Sequence, residues 1–450
     1  MSGLYTSLAT NVLFPLHERL KGHTTVRLRR SMEESQWWSA ERLLEWQVQR
    51  LRAFLVDVER SVPYYRALFL KHGIVASKVS AIEDLGRLPF LTKSIIRENS
   101  GQLRAADARG LARFNTGGSS GEPLVFYIGV ERVSHDVAAK WRATRWWGVD
   151  IGDPEIVVWG SPVELGAQDR LRAVRDRLLR TELLPAFEMS IAKLDSFVER
   201  IRRRRPKMLF GYPSSLALIA KHAEKRGASM NTLGIEVAFV TSERLYDEQR
   251  ETIGRVFGCA VANGYGGRDA GFIAHECPAG GMHITAEDIV VEIVGPDGRS
   301  LAPGSAGEIV VTHLATRDFP FIRYRTGDIG VLDQRNCDCT RGLPLLKEIQ
   351  GRTTDFVVAE NGTVMHGLAL IYVLRDIEGI AAFKVVQESI GLTRVMVVPG
   401  PTYEAESNQR IVAGLKGRLG AGVEVRIEIV DELPPERSGK FRYVVSHVRS

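Results

Sequence analysis

The segment Thr116-Gly117-Gly118-Ser119-Ser120-Gly121 has the composition of a phosphate cradle. Glycines let backbone N–H groups approach an anion, and the Thr and Ser hydroxyls add donors. No Gly-Lys-Ser/Thr follows, which excludes a Walker loop. Alone, such a cluster is more often a plain linker. Four further segments follow it along the chain: Asn263-Gly264-Tyr265-Gly266-Gly267-Arg268-Asp269, Tyr324-Arg325-Thr326-Gly327-Asp328, Gly351-Arg352 and Glu436-Arg437-Ser438-Gly439-Lys440. Each by itself could be a turn, because Gly beside Asp or Ser is what turns are made of. Their ordered co-occurrence is not explained by turns.

The cysteines form a second constellation. Cys277-x5-His283 and, farther on, Cys337-x-Cys339 offer three soft sulfurs and one imidazole, a set that suits tetrahedral Zn2+. Both segments are rich in turn residues, as ligand knuckles must be. Four protein ligands leave no open position, so the expected site is structural. The competing readings are free thiols in a loop, or His275 in place of His283 as the nitrogen ligand. Cys259 lies in the apolar run 256–261 and reads as a core thiol.

The elements that must position these groups are legible in outline. Residues 38–75 carry helical apolar spacing (Leu43, Leu44, Trp46, Leu51, Leu55, Val58), a Val62-Pro63-Tyr64-Tyr65 break, and a second short helix over 66–72. From about 114 short apolar strands alternate with amphipathic helices: strands at 155–159, 208–210 and 237–240, helices at 133–147, 213–226 and 246–257. That alternation predicts α/β organisation with parallel strands. Trp141, Trp146 and Trp147 fall at helical spacing and are expected in the core. Trp159 and Tyr212 follow strands at the end where such folds place ligands, and either could border a substrate pocket. From 289 strand pairs take over (289–294, 308–313), and a β-rich subdomain is expected to close the body. After Gly351-Arg352 the order strand (356–359), helix (367–375), two strands (383–386, 394–398), helix (405–419), strand (423–430) predicts a small α+β domain. The fold class expected is therefore α/β, a large multi-subdomain body over 1–351 with a helical section over 1–113, followed by a small α+β domain over 352–450.

Composition sets the remaining bounds. With 450 residues, 44% hydrophobic and 25% charged, the chain is ordinary globular protein and too long for one compact core. A net charge of +6 with interleaved signs suits a phosphate-bearing substrate as well as nucleic acid. The densest basic run, Arg202 to Arg205 with Lys207, reads as a solvated helix end stopped by Pro206. No basic stripe with interleaved aromatics marks a nucleic-acid binder. No window reaches the length of a membrane span, and the stretch 8–16, broken by Thr10, Asn11 and Pro15, is not a secretion signal. Four cysteines in 450 residues make a disulfide framework improbable and a reducing cytoplasm the expected compartment.

Read together, the five segments resemble the phenylacetate-CoA ligase family within the acyl-adenylate-forming superfamily, in the branch associated with capsular polysaccharide biosynthesis. The stretch Arg50-Leu51-Arg52, Val62-Pro63-Tyr64-Tyr65-Arg66 and Leu88-Pro89-Phe90-Leu91-Thr92-Lys93 is similar to that family's N-terminal signature. The resemblance implies an enzyme that uses ATP and Mg2+ to activate a carboxylic acid, releasing pyrophosphate, and then passes the acyl group to CoA or another thiol. It implies that Thr116 to Gly121 hold the ATP phosphates. Ser242 and Glu243 with Asn263, Gly264, Tyr265 and Gly266 would line the adenine site, Tyr265 by stacking. Asp328 would accept the ribose hydroxyls, assisted by Arg352 at the hinge. Asp269 stands where the family usually has a Glu serving Mg2+ and the α-phosphate. Lys440 would be the catalytic lysine on a mobile C-terminal lid that rotates about 352–355 between half-reactions. Some relatives also carry a zinc site of the kind described above.

The lysine has a physical rationale of its own. When a carboxylate attacks the α-phosphorus of ATP, two anions meet and charge builds on the phosphoryl oxygens and the leaving pyrophosphate. A fixed ammonium there is worth about 3–4 kcal/mol if it acts like other preorganised charge stabilisers. Two departures from the family pattern matter, the first for phosphate gripping, which must rely more on backbone donors, and the second for thioester formation. Glu122 occupies the place of a Lys beside the phosphate loop in many relatives. The segment 359–366 lacks the Arg-Gly-x-Asn pattern that CoA-forming members use near the pantetheine tunnel. An amine acceptor is therefore the alternative to a thiol, and a catalytically retired nucleotide-binding protein is the reading from another class. The sequence names neither the acid nor the acceptor, and it allows a homodimer without requiring one.

Overall fold

The computed structural model describes residues 2–115, 124–159, 169–186, 188–243, 245–350, 356–433 and 443–448. Of the expected site residues, Thr116 to Gly121, Arg352 and Lys440 lie outside these.

An eleven-stranded sheet is the frame of the body. Its parallel half runs Thr181–Pro185, Glu155–Trp159, Met208–Gly211, Val237–Thr241 and Ala260–Gly267. Met208–Gly211 and Val237–Thr241 are buried at every position, as expected of strands covered on both faces. Helices Ile191–Arg204, Pro213–Lys225 and Asp247–Phe257 cover one face through Leu194, Phe197, Leu216, Ile219 and Ile253. Helix Val130–Arg145 covers the other through Ala143, which packs with Phe210 and Phe239. The basic run ends Ile191–Arg204, with Arg205 in the left-handed conformation at φ +46°.

The β-rich stretch is not a separate subdomain sheet. After Ala260–Gly267 the chain reverses, and Gly271–Glu276, Met282–Ile284, Leu345–Gln350, Phe321–Leu332, Ala306–His313 and Ile289–Val294 extend the same sheet in antiparallel order. The reversal needs glycine: a Cβ on Gly266 would lie 2.1 Å from the Gly271 carbonyl oxygen, and Gly271 has φ +87°. The helical N-terminal section packs on this antiparallel half through Leu51, Phe54, Val58, Tyr65 and Phe69 against Ile289, Phe321 and Tyr324.

The helical section itself is more extensive than expected. A first helix, Ser2–Leu8, π turn Ala9–Leu13 and Phe14–Leu20, precedes Thr25–Ser35. Helix Ala40–Ser61 is capped by Ser39 and separated only by Val62 from Pro63–His72, because proline is tolerated at the first helical position. Leu44 and Trp46, expected on its core face, are exposed.

The C-terminal part has its own core of Val357, Leu370, Leu374, Phe383, Val385, Val395, Ile411 and Leu415. A four-stranded sheet ordered Glu424–Ile429, Leu392–Pro399, Ile380–Ser389, Val444–Ser446 packs with helices Leu368–Arg375 and Ala405–Leu419. Gln387 ties its first strand, Phe356–Val358, to this sheet by bonding the Val358 N–H at 3.0 Å and the Val358 carbonyl at 2.6 Å. Strand Val364–His366 pairs with Glu188–Met189 of the body, Val364 opposite Met189.

Candidate active site

The glycine-rich segment is the connection of a hairpin whose arms, Ala112–Asn115 and Val125–Ile128, pair antiparallel with Asn115 opposite Val125. Arg268 Nη1 donates to the Asn115 carbonyl at 3.4 Å, which holds the base of that hairpin against the Asn263 to Asp269 segment. The strands that flank the glycine motif in the chain therefore lie beside the reversal after Ala260–Gly267.

Two side-chain hydrogen bonds then join this segment to the strand Phe321–Leu332. Tyr265 Oη donates to Asp328 Oδ2 at 3.1 Å, and Tyr324 Oη donates to Asp269 Oδ2 at 2.6 Å. The partners lie four residues apart on each side and run in opposite chain directions. The result is a half-buried aromatic ring and two half-buried carboxylates, Asp269 and Asp328, at the C-terminal end of the parallel strands. Ligands bind outside such strand ends in open α/β sheets. Asp269 Oδ1 also accepts the Ala270 N–H at 3.0 Å.

Beneath the Asp269 turn lies a residue that no motif pointed to. Arg132, on helix Val130–Arg145 and 2% exposed, donates to the Arg268 and Asp269 carbonyls, each at 3.3 Å. Its Nε donates to Asp136 Oδ2 at 2.9 Å. Burial would raise the Asp136 carboxyl, but Arg132, His135 and His313 together hold it well below the usual range. Burial and the charge of Arg132 push His313 down to about 3, so it is neutral. His313 Nδ1 accepts the Ala315 N–H at 3.3 Å, so its proton sits on Nε2, facing Asp136. His135, Asp136 and His313 are thus a half-buried carboxylate flanked by two buried imidazoles, with no lone pair of His313 aimed at a metal.

The other expected nucleotide residues end neighbouring strands. Asn263 N–H donates to Glu276 Oε2 at 2.8 Å, and Arg250 anchors the same carboxylate at 2.8 Å. Ser242, just past Val237–Thr241, has φ +72°, a conformation L-residues adopt under strain and one that clusters at functional sites. Glu243 accepts from Ser214 Oγ. Trp159 and Tyr212 stack at 4.4 Å, and Phe210 and Phe239 continue the aromatic row at 6.0 Å steps. Burial lowers the Arg268 guanidinium, and Tyr372 of helix Leu368–Arg375 opposes that.

The four expected zinc ligands converge. Cys277 Sγ and Cys337 Sγ are 3.6 Å apart, His283 Nε2 and Cys339 Sγ 3.1 Å, and all four ligand atoms lie within 4.8 Å of one another. His283 Nδ1 faces the Leu343 carbonyl at 3.3 Å; donating there leaves the Nε2 lone pair toward the sulfurs. His275 takes no part. It is fully buried between the Phe239 and Phe272 rings with neither nitrogen hydrogen-bonded, and burial pushes it down to about 3. Cys259 is a half-buried thiol packed against the core, and desolvation pushes it up to about 12.

Residues 357–447 match the family described as the CapK C-terminal domain. Protein CapK of Staphylococcus aureus is 24% identical over 420 residues, 90% of each chain. The phenylacetate-coenzyme A ligase of Thermus thermophilus is 27% identical over 332 residues, 71% of this chain and 72% of that one. Among solved structures, 2-hydroxyisobutyryl-CoA ligase with 2-HIB-AMP and CoA, in its thioesterification state, superposes with a TM-score of 0.65 at 20% identity, covering 92% of this chain and 93% of that one. The fold is that of the adenylate-forming ligases, an N-terminal body with a C-terminal domain.

Proposed function

We propose that this relative of CapK and of the phenylacetate-coenzyme A ligases activates a carboxylic acid with ATP and transfers the acyl group to CoA or another thiol. The observation that carries the proposal is the double tie of Tyr265 to Asp328 and of Tyr324 to Asp269. It supports a nucleotide held by an aromatic face and one carboxylate while a second carboxylate serves the phosphates.

In the first half-reaction the substrate carboxylate oxygen bonds to the α-phosphorus, the bond to the β-phosphate oxygen breaks, and pyrophosphate leaves with that electron pair. Tyr265 offers its ring to the adenine. Asp328 accepts from Tyr265 and, because an ionised carboxylate has about four acceptor positions, would also accept from ribose hydroxyls. Thr116 to Gly121 supply backbone and hydroxyl donors to the phosphates. Asp269 suits Mg2+ shared with those phosphates: its oxygens are oriented by Tyr324 and Ala270 yet retain lone pairs. Bound there, Mg2+ would neutralise phosphate charge. Lys440 supplies an ammonium to the α-phosphate and the leaving group, and Arg352 assists at the ribose. In the second half the thiolate attacks the acyl carbon and AMP departs. The unit over 352–450 turns about 352–355 between the two steps, exchanging Lys440 for an acceptor path.

The set Cys277, His283, Cys337 and Cys339 would hold one Zn2+. Sulfurs 3.6 Å apart and a tautomer-fixed imidazole fit a closed tetrahedral site, which would pin the turn before Met282–Ile284 to the connection before Leu345–Gln350. Its role is structural. One sequence observation favours an amine over a thiol as acceptor, namely the departure of 359–366 from the CoA-forming pattern. Product analysis by mass spectrometry separates the two. With ATP and the correct acid alone, acyl-AMP forms; adding CoA should convert it to acyl-CoA. Conversion only with an amine would replace the thiol reading, and absence of acyl-AMP with every acid would overturn both.

A further inference from the structure

We propose that the outer face of the first helix is a docking surface for an anionic lipid bilayer. This helix is fixed to the body along one side. Thr6 Oγ1 donates to Asp153 Oδ1 at 2.8 Å, Thr10 Oγ1 donates to the Ile151 carbonyl at 2.7 Å, and Phe14 packs with Trp141 and Ile151. Its other side presents Leu4, Leu8, Val12, Leu16 and Leu20, which are 80%, 45%, 51%, 55% and 80% exposed. A single exposed leucine is ordinary; a contiguous apolar stripe marks an interaction surface.

The spacing of the stripe matches an irregularity in the backbone. An α-helix has 3.6 residues per turn, so side chains four apart drift by about 40° per step. The π turn Ala9–Leu13, in the middle of the helix, is wider and takes up the extra residue. It therefore keeps the four-residue repeat on one side while Ala9, Thr10 and Phe14 stay buried. Beside the stripe, Tyr5 Oη donates to the Leu178 carbonyl at 2.9 Å, and Val174 and Leu178 of helix Asp169–Leu178 are themselves 58% and 45% exposed.

Charge selects the occupant. Residues 2–16 carry no charged side chain, and the segment that follows holds Arg19, Lys21, Arg27 and Arg30, all exposed. Glu18 is buried and accepts from Thr25, with His17 and His23 at its oxygens. Glu33 is engaged by Arg29 and Arg145, so among the described residues the first exposed acid is Glu34. A second copy meeting this face would bring further cations and no exposed acid from residues 2–32. Anionic headgroups answer the cations, and acyl chains answer the leucines, which is the pattern of an interfacial helix. Among the described residues no helix is long and apolar enough to cross a membrane, so the contact is peripheral.

The test is flotation of the full chain with vesicles of phosphatidylcholine alone and of equal parts phosphatidylcholine and phosphatidylglycerol. Binding to the anionic vesicles, weakened by salt, is expected. Leu8→Glu/Val12→Glu/Leu16→Glu should abolish it with an unchanged melting curve. If that variant does not fold, Arg19→Gln/Arg27→Gln/Arg30→Gln decides, with about a fivefold loss of affinity per residue. Absence of flotation with anionic vesicles, or flotation that the substitutions leave intact, overturns the proposal. So does a concentration-dependent dimer in light scattering that the leucine variant dissociates, which would assign the face to a second copy.

Discussion

Replacing Tyr324 by Phe removes one oxygen atom from the proposed site. The Tyr324 ring is fully buried and meets Phe321 edge-on at 5.1 Å, so phenylalanine fills the same space and the fold should persist. What is lost is the 2.6 Å donor to Asp269 Oδ2. A hydrogen bond to a charged group contributes about 1.5–3 kcal/mol, and a carboxylate deprived of it is both less oriented and differently charged toward its ligand. If Asp269 serves the phosphates through Mg2+, the loss appears in the transition state, and kcat/KM for pyrophosphate release should fall about ten- to a hundredfold. The Mg2+ concentration for half-maximal rate should rise in parallel. Steady-state release assays across a Mg2+ titration, with melting curves as a control, measure both. A variant whose kcat/KM stays within twofold of wild type at every Mg2+ concentration would refute the role given to this pair.

Three further outcomes are expected. Purified protein should contain one zinc per chain by elemental analysis, and Cys339→Ser should lose it and melt lower; metal-free protein with unchanged melting would remove the zinc assignment. Burial and Arg132 hold His313 at about 3 in the folded chain against an ordinary value of 6.5, so the unfolded chain alone takes up this proton between those values. Stability from this group is therefore complete above about pH 6.5 and is lost as pH falls toward 3, and His313→Gln should flatten the slope of unfolding free energy across that window. Met189→Cys/Val364→Cys, placed on the cross-strand pair between body and C-terminal unit, should form a disulfide that stops one half-reaction and spares the other; if both proceed after oxidation, the rotation is wrong.

Much of the α/β body was legible because buried parallel strands are short apolar runs bounded by turn residues. Glu155–Trp159, Ile289–Val294 and helix Ala405–Leu419 fall where their patterns end. The first helix was not legible: its four-residue repeat is out of phase with 3.6 until the π turn absorbs the difference, and its leucines face outward. Chain spacing could not choose between His275 and His283 as the fourth zinc ligand. The two are cross-strand partners, and only the third dimension shows His283 reaching the sulfurs while His275 lies between phenyl rings. Tyr324 stood inside a motif, and its four-residue offset from Asp328 mirrors that of Tyr265 from Asp269. Arg132 carried no local signal, because it meets the Asp269 turn from a helix 137 residues away. The single continuous sheet was also hidden, since the reversal at Gly266 and Gly271 reads in sequence as one more glycine turn.

The central claim is adenylation, and the most direct measurement is pyrophosphate release from ATP and Mg2+ across a panel of aryl, fatty and sugar acids for wild type and Lys440→Ala. Release that depends on one class of acid and collapses in the variant is the predicted result. Release that survives the loss of Lys440, or tight ATP binding without release for any acid, would contradict it.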